Sequence, residues 1–351
     1  MMRIKDFCSY DSKSSIKAGE ALTVGKYAFF TSSADETKRI NGFQYDGERI
    51  IMGTGGNATL HYFNGKFAVS TDCVVLKPDS IVLCKYLYYF FLANMRILED
   101  GFKGAGLRHT NKNYIDNITI KTIPTIANQK NIVFILDKIN TILKLRKKEL
   151  QKADDLIKAR FVEMFGDLRA NPFGFKKKKL KDTCIVITGN TPSRSVPEYY
   201  GDYMEWIKTD NIVTGFLNPT KSVEYLSEAG VNVGRTVEKD SILMSCIAGS
   251  VASIGRVCIT NRKVAFNQQI NAVIPKEYDV LFLYVMLQMS KDYLTEEINM
   301  ALKGILSKSK LEEKEFVIPP IKQQKQFATF VTQVDKSKVM KRLRLSTNSF
   351  C

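Results

Sequence analysis

Three closely spaced glycines, Gly53, Gly55 and Gly56, stand in the stretch IIMGTGGNATLHYFNGKFAVSTDCVVL, residues 50–76, and such spacing invites a phosphate-cradling loop. A cradle needs a strand before the glycines and a helix after them, so that backbone N–H groups and the helix dipole face the anion. Here the glycines are followed by Asn57-Ala-Thr-Leu-His-Tyr-Phe63, then Asn64-Gly65, then Lys66-Phe-Ala-Val69. β-formers on both sides of Asn-Gly predict a hairpin, because a type I′ turn needs positive φ at both central residues. Other chemistry is sparse. The histidines are His61 and His109, and the seven cysteines (8, 73, 84, 184, 246, 258 and 351) contain no Cys-x-x-Cys pair. Zinc is therefore not expected, and scattered unpaired cysteines fit a reducing, cytoplasmic compartment. There is no Gly-x-x-x-x-Gly-Lys-Ser/Thr loop, no acidic or histidine cluster and no nucleophile beside a histidine.

The elements that must position any binding groups are duplicated. Gly47-Glu-Arg-Ile-Ile-Met-Gly53 is echoed by Lys239-Asp-Ser-Ile-Leu-Met-Ser245, each followed by a small-residue loop. Ala68-Val-Ser-Thr-Asp72 stands opposite Ala265-Phe-Asn-Gln-Gln269, and Leu87-Tyr-Tyr-Phe-Phe91 opposite Leu283-Tyr-Val-Met-Leu287. Ile123-Pro-Thr-Ile-Ala-Asn-Gln-Lys130 matches Ile318-Pro-Pro-Ile-Lys-Gln-Gln-Lys325, and Arg3-Ile-Lys-Asp6 matches Lys179-Leu-Lys-Asp182. Five segments in one order indicate a domain duplication with a period of about 195 residues, too long for a solenoid. The glycine stretch is then a hairpin edge present in each half, with small residues where the backbone comes close to something.

Each half is expected to be α+β and to be followed by a long helix. The domains are read as 1–125, a central helix 126–168, a second domain 169–320 and a last, shorter helix 321–351. Strands are predicted at 50–52, 58–63, 67–76, 184–188, 242–247, 255–260 and 264–274, and helices at 81–98 and 279–301. From Asn128 to Phe165 no proline or glycine occurs, and Gly166 stops the helix. Ile132, Ile135, Ile139 and Ile142 form one apolar stripe, and Phe327, Val331 and Val334 form a matching one on the last helix. The two are expected to pair as an antiparallel coiled-coil spacer; packing of the central helix on its own domain is the alternative. The net charge of +16 points to a phosphate-rich partner or an acidic protein surface. No run of about 18 apolar residues is present, so no membrane span is expected.

On these residues the chain resembles the DNA-specificity (S) subunit of type I restriction–modification enzymes. The matching pieces are KLKD with GNTPSRSVPEYYGDYMEWIKTDNI and IPPIKQQKQF in the second half, and GERIIMGTGG…GKFAVSTDC, KYLYYF and LIKARFVEMFGD in the first. The resemblance implies two target-recognition domains that read a bipartite site in double-stranded DNA, with the helix pair setting the gap. It also implies partners: adenine-N6 methyltransferase (modification) subunits, two of them, and restriction/translocase subunits. S-adenosylmethionine, ATP and Mg2+ would be held by those partners, with no cofactor and no active site on this chain. In keeping with that, Asn171-Pro172-Phe173 lacks the second proline of an adenine-methyltransferase motif. The alternative is a stand-alone DNA-acting enzyme, a nuclease or fused methyltransferase. The first half departs from the family pattern, with GKYAFFTSSADETKRING where a G-x-x-P…W segment is expected.

Base edges are read by Arg, Lys, Asn, Gln and hydroxyl groups, and phosphates by Lys, Arg and hydroxyls. In the first half the candidates are Lys26, Tyr27, Thr31, Ser32, Lys38, Arg39, Thr54, Gly55, Gly56, Asn57, Ser70, Thr71, Lys103, Arg108 and His109. In the second half they are Asn190, Thr191, Ser193, Arg194, Lys208, Thr209, Asp210, Asn211, Ser250, Ser253, Asn267, Gln268, Gln269, Lys303, Lys308 and Lys310. Asn267–Gln269 are equally readable as a strand end satisfying its own backbone, and the basic loops as solvated surface. Trp206 is read as core rather than as a stacking platform, and Lys176–Lys179 as a linker face.

Overall fold

The computed structural model describes the chain apart from residues 248–249, 297, 299–303 and 348–351, and apart from the side chains of 251 and 337–347. It divides into two compact units, Met1–Leu145 and Arg146–Cys351.

The strands of the first unit are β1 (Met2–Arg3), β2 (Cys8–Tyr10), β3 (Tyr27–Phe30), β4 (Arg39–Ile40), β5 (Glu48–Gly53), β6 (Leu60–Asn64), β7 (Phe67–Val69), β8 (Cys73–Pro78) and β9 (Thr119–Ile120). Its helices are α1 (Cys84–Ala93), α2 (Met95–Glu99), α3 (Lys112–Asp116) and the start of α4 (Ile126–Phe165). One sheet has the antiparallel order β2-β8-β5-β6; a second, β4-β3-β7, contains a parallel pair, β3 with β7. The second unit repeats this plan. Its strands are β10 (Lys176–Lys179), β11 (Cys184–Thr188), β12 (Tyr200–Gly201), β13 (Met204–Ile207), β14 (Tyr225–Leu226), β15 (Thr236–Val237), β16 (Ile242–Ser245), β17 (Val257–Ile259), β18 (Val264–Phe266), β19 (Ile270–Pro275) and β20 (Glu315–Ile318). Its helices are α5 (Leu180–Thr183), α6 (Glu228–Val233), α7 (Val280–Met289), α8 (Lys291–Thr295), α9 (Lys308–Glu313) and α10 (Ile321–Thr347). The order β11-β19-β16-β17 matches β2-β8-β5-β6 strand for strand, and β13 runs parallel to β18 as β3 does to β7. The expected duplicated α+β fold is therefore present.

The duplicated motif Ile-Ile-Met/Ile-Leu-Met is apolar on consecutive residues because its strand is buried on both faces. Ile50 and Met52 pack with Leu87 and Phe91 of α1, while Ile51 packs with Phe30, Phe67 and Val75. In the second unit Ile242 and Met244 lie with Phe282 and Met286 of α7, and Leu243 lies with Ile207 and Phe266.

Three sequence expectations need correction. The segments 58–63 and 67–69 do not pair across Asn64-Gly65. β6 instead pairs with β5, from Met52↔Leu60 to Glu48↔Asn64, and β7 joins the other sheet. Gly65, at φ +130°, turns the chain between the sheets, and burial of Phe67, Ala68 and Val69 drives that separation. Similarly, 67–76 and 264–274 are each two strands. They break at turns in which Cys73 N–H donates to Ser70 O at 3.1 Å and Ile270 N–H to Asn267 O at 3.1 Å. Lys176–Lys179 is a paired strand rather than a linker: β10 is antiparallel to β20, with Lys178 bound to Glu277 and Lys179 to Glu313.

The repeated Pro-x-Ile-x-x-Gln-Lys motif has a specific structural use. Gln129 is fully buried; its Oε1 accepts from Leu83 N–H at 2.8 Å, and its Nε2 donates to Ile81 O at 3.0 Å and Pro124 O at 2.8 Å. Gln324, also fully buried, accepts from Asp279 N–H at 2.9 Å and donates to Pro319 O at 2.8 Å. Leu83 and Asp279 are the N-cap residues of α1 and α7. One buried amide thus pins the first turn of each long helix to the first turn of the helix packed on its sheet. Asp137, farther along α4, adds a second attachment, accepting from Lys85 Nζ at 2.8 Å and Tyr89 Oη at 2.5 Å.

The 40 residues of α4 correspond to about 60 Å at 1.5 Å per residue, and the helix ends where Gly166 takes φ +71°. Its last turns belong to the core of the second unit. Phe161 and Phe165 meet Phe327 edge-on at 5.4 and 5.6 Å and pack with Phe282. Ile157 and Val331 share that core, and Asp154 and Asp335 line one cavity with them. Contacts receding along α4 therefore meet contacts advancing along α10.

Gln129→Leu leaves a buried N–H and two carbonyls unpaired at about 1–3 kcal/mol per group, so a loss of at least about 2 kcal/mol is expected on chemical denaturation. Asn128→Leu, one residue away and exposed, should stay within about 0.5 kcal/mol.

Candidate nucleic-acid interface

In the first unit the loop joining β5 to β6 gathers most of the candidates. Ser32 Oγ accepts from Thr54 N–H at 3.2 Å and Gly55 N–H at 3.3 Å and donates to Asp72 O at 2.5 Å. Gly56 N–H donates to Arg108 O at 2.8 Å, Thr110 N–H to Thr54 O at 3.0 Å, and Arg108 Nη2 to Asn57 Oδ1 at 3.2 Å. Lys103 and His109 exchange backbone bonds at 3.0 and 2.9 Å. Ser32, Thr54–Asn57, Lys103, Arg108 and His109 therefore form one cluster, with the side chains of Asn57, Lys103, Arg108 and His109 exposed. Glycine is required at Gly53, where a Cβ would fall 2.2 Å from Thr59 Oγ1 and 2.8 Å from Ser32 Cα.

Other first-unit candidates lie apart or face inward. Lys38 Nζ donates to Thr31 Oγ1 at 2.8 Å, and Arg39 Nη1 to Glu36 O at 3.0 Å. Lys26 lies over the Tyr27 ring at 5.4 Å. Thr31 and Ser70 are buried, Ser70 beside Cys73, and Thr71 N–H donates to Ile16 O at 2.8 Å. The sequence reading missed buried His61, whose ring sits 2.9 Å from Ser33 O and 3.2 Å from Glu36 Oε1 and so anchors the 33–36 loop.

In the second unit the loop after β11 crosses the β18–β19 turn. Asn190 N–H donates to Phe266 O at 3.2 Å, and Thr191 Oγ1 donates to Gln268. The Asn190 amide is engaged with Val233 O and Arg235 N–H at 2.9 and 2.7 Å. Asn267 is buried, with its Oδ1 taken by Gln269 N–H at 3.2 Å, whereas Gln268 is exposed. Beyond Thr191, the Ser193 and Ser195 hydroxyls pair at 2.7 Å. Arg194 packs over Tyr200 at 4.3 Å and Trp206 at 5.2 Å, and Lys208 lies over Trp206 at 5.1 Å. Trp206 is buried, as expected of a core residue. Glu224, overlooked in the sequence, accepts from both Arg194 and Lys208, and these bonds, that from Lys208 first, hold its carboxyl below the usual range. Asn211 is buried and caps Lys208 N–H at 3.0 Å; Asp210 is exposed beside it. Arg256, also overlooked, donates to Ser253 O at 3.2 Å and Thr209 O at 3.5 Å, tying the Ser250–Ser253 loop to Thr209. Lys308 and Lys310 are elsewhere, on α9 against α5 and β11, and Lys303 lies outside the described residues.

One bridge recurs at the same topological position in both units. The loop after β5 bridges to the segment before α3 at Gly55↔His109, and the loop after β16 bridges to the segment before α9 at Ile247↔Ile305. Catalytic groups are sparse around them. Burial raises the thiols of Cys8, Cys84, Cys246 and Cys258 to about 12 and those of Cys73 and Cys184 to about 11, so none is a thiolate at neutral pH. Among the described residues no three His, Cys, Asp or Glu side chains converge to hold a metal. No described helix is long and apolar enough to cross a membrane. Of the helix stripes, Phe327 and Val331 are buried and Val334 is partly buried, while Ile132 is half-buried and Ile135, Ile139 and Ile142 are about half exposed.

Two copies of one sheet-and-helix module, each presenting hydroxyl, amide and basic groups on its loops, define a duplicated binding protein. Residues 1–154 and 172–345 match the family described as "Type I restriction modification DNA specificity domain", and the chain belongs to that family. It is 36% identical to the HindI specificity subunit of Haemophilus influenzae over 120 residues, which span 33% of this chain and only 25% of that subunit. It is 26% identical over 345 residues to the putative type I specificity subunit S.MpnORF507P of Mycoplasma pneumoniae, covering 93% of this chain and 86% of that one. The fold is shared with the type I restriction–modification S subunit of M. genitalium, at a TM-score of 0.66 and 14% identity over 98% of this chain and 91% of that one.

A Cβ at Gly189 would lie 2.2 Å from Asn267 O and 2.5 Å from Phe266 O. Gly189→Ala should therefore destabilise the second unit by about 1–3 kcal/mol, the usual cost of overpacking, read as a shift of its transition in calorimetry.

Proposed function

We propose that the chain is the DNA-reading subunit of a type I restriction–modification complex and that it performs no chemistry itself. Each module would read one half of a bipartite site in double-stranded DNA through its loop cluster. The observation that carries this reading is the duplicated module, with the same sheet order and the same loop-to-loop bridge in both units, on a chain of net charge +16. Exposed cations such as Lys103, Arg108 and Arg194 suit phosphates or base acceptors, while Asn57, Thr191 and Gln268 suit base edges. The Phe327–Val334 stripe packs against Ile157, Phe161 and Phe165 at the end of α4 rather than against the expected Ile132–Ile142 stripe. From that contact α4 and α10 would run on as an antiparallel spacer that sets the gap between half-sites. The half-exposed stripe Ile135–Ile142 would remain open to a covering partner helix.

The same helices would dock two adenine-N6 methyltransferase subunits, with restriction/translocase subunits joining the complex. S-adenosylmethionine, ATP and Mg2+ would reside on those partners, and the assembly would work in the cytoplasm. Sequencing methylated adenines in a host with and without this chain tests the proposal. Methylation of a two-part motif that disappears with the chain is expected. A contiguous motif, or S-adenosylmethionine binding by the isolated chain, would contradict it and favour a stand-alone enzyme.

A further inference from the structure

The group around Trp206 has a feature that general DNA affinity does not require. Arg194 and Lys208 are the cations of the GNTPSR loop and of the turn after β13, yet both are held by one carboxylate, Glu224. The backbone that carries the carboxylate is itself fixed. The Trp206 backbone N–H donates to Glu224 O at 3.0 Å, and the Ser222 hydroxyl, with one proton to give, lies 2.8 Å from both Trp206 O and Glu224 O. The guanidinium of Arg194 has one face on Tyr200, one nitrogen on Glu224, and no other side-chain hydrogen bond among the described residues. The Arg194 side chain is nonetheless 55% exposed. A flexible arginine has been made rigid without being withdrawn from solvent.

The charge balance selects the ligand. Glu224 offsets one of the two positive charges, so a phosphate approaching Arg194 meets a carboxylate beside it and gains less than at an unpaired arginine. A neutral edge with two acceptors meets no such penalty and matches the planar fork of a guanidinium. In double-stranded DNA that edge is O6 and N7 of guanine in the major groove.

Resting on the DNA-reading function proposed above, we infer that Arg194 reads a guanine in the half-site of the second module and that Glu224 is its positioning residue, orienting the guanidinium on Tyr200 and Trp206 and disfavouring phosphate at that guanidinium.

The test uses the chain assembled with its methyltransferase partner and selection from a randomised duplex library, followed by binding to the selected site over a range of salt. For the unaltered chain, one position in one half-site should be guanine, preferred by roughly tenfold. Arg194→Lys keeps the charge and should abolish that preference alone, leaving the other half-site and the salt dependence unchanged. Glu224→Gln should weaken the same preference while strengthening binding to unrelated DNA and steepening the salt slope by about one, as a phosphate contact is gained. Glu224→Asp should restore part of the preference; a residue that mattered only to folding would weaken all sequences alike. Should a variant fail to fold, 7-deazaguanine at the selected position of the DNA gives the same answer with the unaltered chain, where a roughly tenfold loss is expected. The inference is overturned if Arg194→Lys leaves every position intact, if Glu224→Gln leaves the salt slope unchanged, or if 7-deazaguanine binds as well as guanine. Absence of any two-part motif with the unaltered chain would instead contradict the DNA-reading function itself.

Discussion

A single buried amide decides how each module is joined to its helix. At Gln129 and Gln324 the side chain satisfies backbone groups from two elements at once, the proline-bearing entry to the long helix and the first turn of the helix on the sheet. Polar groups withdrawn from water in this way are costly to leave unpaired, so the junction has one geometry rather than a range. A glutamine suits the task because its amide donates and accepts at the end of a chain long enough to reach both segments. The Pro-x-Ile-x-x-Gln-Lys repeat is thus a mechanical joint.

Duplication preserved the joint and the sheets and altered the readers. Gly53 and Ser245 occupy equivalent strand ends, but only the first unit needs glycine there to admit Thr59 and Ser32. Where the second unit places Met204–Ile207, with Trp206 under Arg194 and Lys208, the first places Tyr27–Phe30 beside Phe67. The first cluster is built on Ser32, Asn57 and Arg108, the second on Thr191, Gln268 and the Glu224 clamp. The supports agree and the exposed chemistry does not, so under the proposed function the two half-sites should differ in sequence.

Much of the scaffold was legible in the chain because it is written in local periodicities and in repetition. The helix ending at Gly166, the apolar strands β5 and β16, and the duplicate order all follow from patterns a few residues wide. Pairing across space was less legible. Asn64-Gly65 has the composition of a hairpin turn, yet the burial of Phe67–Val69 in the second sheet sends the chain around a corner. The loops of the candidate interface were readable as polar and basic. Which of their groups face inward was not, because Thr31, Ser70, Asn211 and Asn267 are buried by neighbours distant in sequence. Glu224 was invisible for the same reason, since nothing near it announces Arg194, 30 residues earlier.

If each module is held rigidly to its long helix, as the proposed function has it, lengthening that helix should widen the gap between half-sites. Inserting four helix-forming residues at the exposed stretch around Leu145 lengthens α4 by about 6 Å, close to two base pairs at 3.4 Å per step. Methylome sequencing of a host carrying the lengthened chain should return the same two half-sequences separated by one or two more base pairs. An unchanged gap, or altered half-sequences, would contradict the joint-and-rod design.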